Sequence, residues 1–191
     1  MRRRISVQVF GVLGALFFLY SCQTSEYAKL EKAELAKGVR YDSLFHGIKF
    51  GTSKGDFYQI CWDKNKEGIL NAGGYKNYIR YELKGDTAVA DHIIMYFYPD
   101  YDTDENITGM DVEFLYSGWS PGNSVYYSDK LMSALKDTLM TWYGGNEFLK
   151  LPSEEEFGEV LVKVDGNRRI AIKQKDDQRV QMKIADLTAT K

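Results

Sequence analysis

The clearest pattern of metal-ligating residue types is an acidic stretch between residues 100 and 111. Oxygen-bearing side chains recur there at mostly alternate positions, and the set is Asp100, Asp102, Asp104, Asn106 and Asp111. Carboxylates spaced in this way supply the oxygen ligands of twelve-residue Ca²⁺ loops. Two positions depart from that pattern, because Glu105 stands where such a loop needs glycine and Asp111 where it needs a bidentate glutamate. We predict a solvated hairpin loop here, and a weak calcium site is the alternative.

Patterns that would indicate a catalytic residue are weaker. Residues 118–122 match the G-x-S-x-G arrangement of a nucleophilic serine. The oxyanion hole of such a site uses the backbone N–H of the residue after the serine, and here that residue is Pro121, which has none. His46 and His92 are far apart and fit no zinc-binding spacing, and Cys61 is predicted to be a small buried core residue. We therefore predict no catalytic residue, with a hydrolase that uses carboxylates as the alternative.

Aromatic residues are concentrated in the middle of the chain. The candidates for a binding surface are Tyr98, Tyr101, Trp119, Tyr126 and Tyr127. One interpretation is that they fill the core around strands that are buried on both faces. The other is a face that binds a protein or a glycan, because Tyr and Trp combine a rigid apolar ring with a polar tip.

The first 22 residues have the pattern of a secretion signal. Three arginines at positions 2–4 precede an apolar run at 5–20, which is shorter than the roughly 20 residues of a membrane-spanning helix. The run ends in Leu19-Tyr20-Ser21-Cys22. This tetrapeptide resembles the lipobox of bacterial lipoproteins, and the resemblance implies cleavage before Cys22 and attachment of lipid to its thiol. An uncleaved N-terminal membrane anchor is the alternative.

Composition agrees with a protein held at a membrane by lipid rather than by charge. The chain has 191 residues, with 25 basic and 27 acidic side chains, and removal of residues 1–21 would leave 22 basic residues and a net charge of −5. A chain with this balance has no basic surface for nucleic acid. Gln23 follows the cysteine where an aspartate marks inner-membrane retention in enterobacterial lipoproteins, so we expect the outer membrane.

The mature chain is predicted to be an α+β domain in the order α-βββ-α-βββ, after a short helix that ends near Lys37. Ser53 and Ser128 are the predicted N-caps of the two main helices, which we expect to pack on one face of an antiparallel sheet. Alternating or apolar runs predict six strands, at 78–83, 89–98, 107–116, 160–164, 170–172 and 180–184.

These elements divide the chain into three parts. Residues 1–21 are the predicted signal peptide, 22–45 a lipidated tether with a short helix, and 46–191 the globular domain. Because the same order of elements recurs, a tandem duplication with repeats at about 47–117 and 125–188 is one interpretation of the domain.

Two further resemblances bear on location and fold. Residues 47–53, GIKFGTS, precede a helix and an antiparallel meander, and this arrangement looks like small lipoproteins related to the outer-membrane assembly factor BamE and like the β-lactamase-inhibitor-protein fold. Residues 34–42, ELAKGVRYD, look like lipoproteins of gut Bacteroidota. The second likeness implies a location but no activity. We expect a lipid-anchored, non-catalytic envelope protein that binds a partner or supports envelope assembly, and a glycan-binding accessory lipoprotein is a further alternative.

Overall fold

Three α-helices and eight strands make up the fold in the computed structural model, which describes residues 25–74, 77–83, 91–152 and 158–189. The predicted signal peptide and Cys22 lie outside the described residues. The helices are α1 (Glu26–Ala36), α2 (Lys54–Lys66) and α3 (Ser128–Tyr143), with a short 3₁₀ helix at Ser124–Tyr126. None of the helices described is long and apolar enough to span a bilayer.

All eight strands belong to one antiparallel sheet. They are β1 (Leu70–Ala72), β2 (Ile79–Leu83), β3 (Ile93–Tyr101), β4 (Ile107–Tyr116), β5 (Leu149–Pro152), β6 (Glu159–Asp165), β7 (Arg168–Gln174) and β8 (Arg179–Asp186). Their spatial order is β1-β2-β3-β4-β8-β7-β6-β5. The predicted α+β class is confirmed.

The predicted order of three strands after each main helix needs correction, because each helix is followed by four. The missed strands are β1 and β5, the two outer strands of the sheet. β1 has only three residues and β5 ends in Pro152, so neither carries a period-2 apolar pattern long enough to read from sequence.

The two halves of the sheet have the same connectivity. α2 leads into the meander β1–β4, and α3 leads into the meander β5–β8. The last strands of the two meanders pair with each other at the centre, where Val112 lies opposite Met182. A duplication of the sequence itself stays a prediction.

The hydrophobic core lies on one face of this sheet. Phe97, Val112 and Met182 on the strands are fully buried, and so are Leu131 and Leu135 of α3. Successive strand residues alternate between faces, which is why the neighbours of these side chains project away from the core. α2 contributes Phe57 and Cys61 to the same cluster of buried side chains.

The starts of the two main helices differ from each other. Ser53 is the N-cap of α2, where its Oγ accepts a hydrogen bond from the N–H of Asp56 at 3.1 Å, as predicted. The prediction that Ser128 caps α3 was wrong, because Tyr127 occupies the N-cap position without a side-chain cap. Ser128 is instead buried, and its Oγ donates to the carbonyl oxygen of Asp176 at 2.5 Å.

The predicted tether is residues 22–45, and the part of it that the structure describes, from residue 25, packs against the domain. The buried carboxylate of Glu34 in α1 accepts hydrogen bonds from the N–H of Gly166 at 3.1 Å and from Asn146 Nδ2 at 2.7 Å. Leu44 is part of the hydrophobic core. α1 therefore docks on the β6–β7 side of the sheet and is not a free spacer.

Candidate functional site

The outer surface of α2 carries two exposed aromatic side chains one helical turn apart. Tyr58 is 44% exposed and Trp62 is 59% exposed. Residues four apart lie on the same side of a helix, so the two rings are neighbours on one surface. Phe57 and Cys61 lie about 100° away around the helix and are buried in the core, which orients α2 so that Tyr58 and Trp62 face outward.

The two rings border a groove between α2 and the β1–β2 edge of the sheet, which we call the α2–β1 groove. Its volume is about 500 Å³, within the range of small-ligand sites. Its lining consists of Gly55, Tyr58, Gln59, Cys61, Trp62, Asn65, Leu70, Asn71, Ala72 and Ile79. Rings, amide side chains and aliphatic groups thus share one concave surface.

Two of the predicted binding residues adjoin this groove. The hydroxyl of Tyr98 lies 3.3 Å from that of Tyr58, and the Tyr98 and Tyr101 ring centroids are 6.2 Å apart in an edge-on arrangement. The hydrogen bond with Tyr98, together with partial burial, raises the pKa of Tyr58 to about 12. Burial also raises the pKa of Tyr101. Tyr58 is therefore a neutral phenol at physiological pH, able to donate and accept hydrogen bonds.

The described residues that line the α2–β1 groove carry no formal charge. Its one thiol, that of Cys61, is held neutral because burial raises its pKa to about 12. A thiol of this kind is not a nucleophile at neutral pH. The chemistry that the lining offers is ring stacking and hydrogen bonding, which are the interactions of recognition.

The other three predicted binding residues lie at the opposite end of β4. Trp119, Tyr126 and Tyr127 follow Tyr116, whereas Tyr101 is paired with Ile107 at the start of that strand. The ten residues of β4 span about 30 Å, so the five aromatic residues do not form one surface. The hydroxyl groups of the two distant tyrosines are engaged in local hydrogen bonds. Tyr126 donates to Asp91 Oδ1 at 2.9 Å, and Tyr127 donates to the carbonyl oxygen of Pro121 at 2.6 Å.

The acidic stretch forms the β3–β4 hairpin, and local contacts already use its carboxylates. Asp102 Oδ1 accepts hydrogen bonds from the N–H groups of Asp104 at 3.0 Å and Asn106 at 2.8 Å. Lys183 pairs with both Asp100 and Asp111. Among the described residues there is no group of three or more His, Cys, Asp or Glu side chains that could hold a metal ion. Calcium binding here stays a prediction.

The histidines lie near a second cleft, of about 440 Å³, beside the α2–β1 groove. His46 and Glu82 both line it. Both carboxylate oxygens of Glu82 are engaged, by His92 Nδ1 at 2.8 Å and by Arg80 Nη2 at 3.0 Å. These contacts lower the pKa of Glu82, whose carboxylate forms an ion pair with Arg80.

Sequence reasoning missed Tyr58 and Trp62 as surface residues. Trp62 directly follows the apolar positions Phe57, Ile60 and Cys61, and it is easily assigned to the same buried stripe. The spacing along the helix was the available signal. Position 62 lies four residues after 58 and therefore on the same side, whereas it is neither three nor four residues from Phe57 or Ile60 on the inner side. Amide residues at 59 and 65 share that outer phase.

No family model, curated protein or solved structure matches this chain.

Proposed function

We propose that this protein is a lipid-anchored component of the bacterial envelope, held at the outer membrane through Cys22, that binds an envelope partner without catalysing a reaction on it. The sequence at 19–22 and the apolar run before it support the anchor. The α2–β1 groove supports the binding role.

The exposed Trp62 carries the proposal for binding. Burial of a large apolar side chain is worth about 1.5–3 kcal/mol, and folding has left most of this indole in water. It stands beside the exposed Tyr58 at a concave surface rather than alone on a convex one. Aromatic side chains in such positions are typical anchors of recognition sites.

The tether length is consistent with a protein that works close to its membrane. α1 begins at Glu26, four residues after Cys22. Four residues reach about 14 Å at most when fully extended. Since α1 itself is docked on the sheet through Glu34, a lipid on Cys22 would hold the whole domain next to the bilayer.

Site-specific crosslinking in intact cells tests the binding role. A photoreactive benzoylphenylalanine replaces Gln59 in the groove, and a matched control places the same residue at Asp137, which is exposed on α3. We expect ultraviolet light to join an envelope component to position 59 and not to position 137. Equal products at both positions, or none at position 59, would contradict the proposal.

Membrane fractionation of the Cys22→Ala variant tests the anchor. Because the Cys22 thiol is the proposed point of lipid attachment, we expect this variant to lose the lipid and leave the outer-membrane fraction. Unchanged recovery of a full-length product from that fraction would favour the uncleaved anchor instead.

A further inference from the structure

The α2–β1 groove presents two kinds of surface to a ligand. Trp62 and Tyr58 offer flat apolar rings. Gln59, Asn65 and Asn71 add amide groups, each of which contains both a donor and an acceptor. A ligand that fits this surface has an apolar face for the rings and polar groups around its edge for the amides.

The charge of the residues around the groove also indicates which class of ligand it can bind. The groove lining described above is uncharged, while the charged side chains of α2 are not part of it: Lys54, Asp56, Asp63, Lys64 and Lys66. A charged ligand in the groove would lose hydration without gaining an ion pair from the lining residues, which is costly, and the Lys66 ammonium near the Trp62 ring is itself a cation–π partner of that indole. The complementary ligand is neutral.

An extended peptide that pairs with the edge strand β1 is a poor fit. Such a peptide needs the outward backbone groups of the edge strand. The carbonyl oxygen of Leu70 in β1 already accepts a hydrogen bond from Asn65 Nδ2 at 2.8 Å. β1 also has only three residues, and α2 packs against it.

We propose that the α2–β1 groove is a subsite for a neutral pyranose unit of a glycan. The C–H face of the sugar stacks on Trp62 with Tyr58 beside it. The ring hydroxyls bond to the amide of Asn71 and to Gln59 Oε1, since Gln59 Nε2 already donates to Asp63 Oδ2 at 2.9 Å. Hydroxyl groups that both donate and accept match amides, which do the same. Lys66 Nζ lies 5.4 Å from the Trp62 ring centroid and helps to hold the indole in place. The inference rests on the groove being the recognition site proposed above.

Titration of the purified full-length lipoprotein in detergent with neutral tetrasaccharides tests the inference. The probes are cello-, malto-, manno- and xylo-tetraose and tetra-N-acetylchitotetraose, and tryptophan fluorescence and calorimetry give the dissociation constants. We expect at least one sugar to bind. For that sugar, Trp62→Ala should weaken binding at least tenfold, and Trp62→Phe should weaken it less because a flat ring remains.

The matched control is Trp142→Ala, a partly exposed tryptophan on α3 outside the groove, and it should leave the dissociation constant unchanged. Absence of binding to every sugar in the set overturns the inference, and so does binding that survives Trp62→Ala.

If acidic oligosaccharides or a peptide ligand bind in a Trp62-dependent way, the neutral saccharide subsite is wrong but the groove remains the recognition site. If the position-59 crosslink is also absent, the proposed function fails with it.

Discussion

Glu34 shows how a single buried charge stabilises the attachment of α1. Its carboxylate accepts from Gly166 and Asn146 and pairs with Lys37 at 2.5 Å. Burial alone would raise its pKa, but the bonds from Lys37, Gly166 and Asn146 together hold the pKa below its ordinary value. The ionised form is thus favoured in the folded protein.

Glu34→Gln should lower the free energy of unfolding by about 2 kcal/mol at pH 7. Because the folded pKa is lowered, the stabilisation by Glu34 is present above its unfolded pKa and is lost as the pH falls through the folded pKa. Urea unfolding at pH 7 and at pH 3 should therefore show a difference between wild type and variant that shrinks in acid. Glu26→Gln, at an exposed position of α1, is the control. A difference that does not change with pH would contradict this role.

Phe57 and Trp62 provide a matched test of which side of α2 is buried. Phe57 is fully buried and Trp62 is mostly exposed. Phe57→Ala should cost about 3–5 kcal/mol of unfolding free energy. Trp62→Ala should cost less than about 1 kcal/mol, since an exposed cation–π contact with Lys66 is its main loss. Urea denaturation of both variants measures this, and similar losses for the two would show that Trp62 belongs to the core.

Calcium can be tested at the β3–β4 hairpin. Asp102 already satisfies two backbone N–H groups, and Lys183 neutralises Asp100 and Asp111. We expect millimolar Ca²⁺ to leave the melting temperature unchanged, and Asp102→Ala to lower stability with or without the ion. A rise in melting temperature with Ca²⁺ that Asp102→Ala abolishes would instead establish a calcium site.

At the scale of elements, the cap on α2 positions the groove. Ser53 satisfies the N–H of Asp56 and also donates to its carboxylate at 2.8 Å. Ser53→Ala should cost about 1 kcal/mol of unfolding free energy, measured by thermal or urea denaturation. The control is Ser133→Ala on the exposed side of α3, which should change stability little. A loss that is equal in both variants would mean that the cap contributes nothing specific.

The periodicity of apolar residues along the sequence predicted most helices and strands, but it did not predict how α2 and β1 form the groove. The strand at 107–116 was predicted correctly because its periodicity extends over several pleats, and the burial of Cys61 was predicted correctly as well. β1 is too short to show a period. The groove depends on the packing of α2 against β1, which is a tertiary contact that no local pattern contains. Tyr98 and Tyr101 were identified from composition, whereas Tyr58 and Trp62 required the orientation of α2.

At the scale of the whole molecule, the tether and the groove lie at opposite ends of the sheet. α1 contacts β6, and the groove adjoins β1, six strand positions away. Neighbouring strands are about 4.8 Å apart, so the two features are separated by about 29 Å across the sheet. A lipid next to α1 would therefore leave the groove at the far edge of the domain.

Energy transfer to a lipid-attached acceptor in proteoliposomes tests this separation. A donor on Lys66→Cys beside the groove should transfer less than a donor on Lys29→Cys in α1, because only α1 is close to the anchor. Buried Cys61 should react poorly with the label. Equal or greater transfer from position 66 would show that the groove faces the bilayer.

The intact mass of the native polypeptide tests the lipid anchor most directly. The account predicts a chain that starts at Cys22, lacks residues 1–21 and carries the added mass of a diacylglycerol and an acyl chain on that residue. A spectrum that shows all 191 residues with an unmodified Cys22 would contradict it.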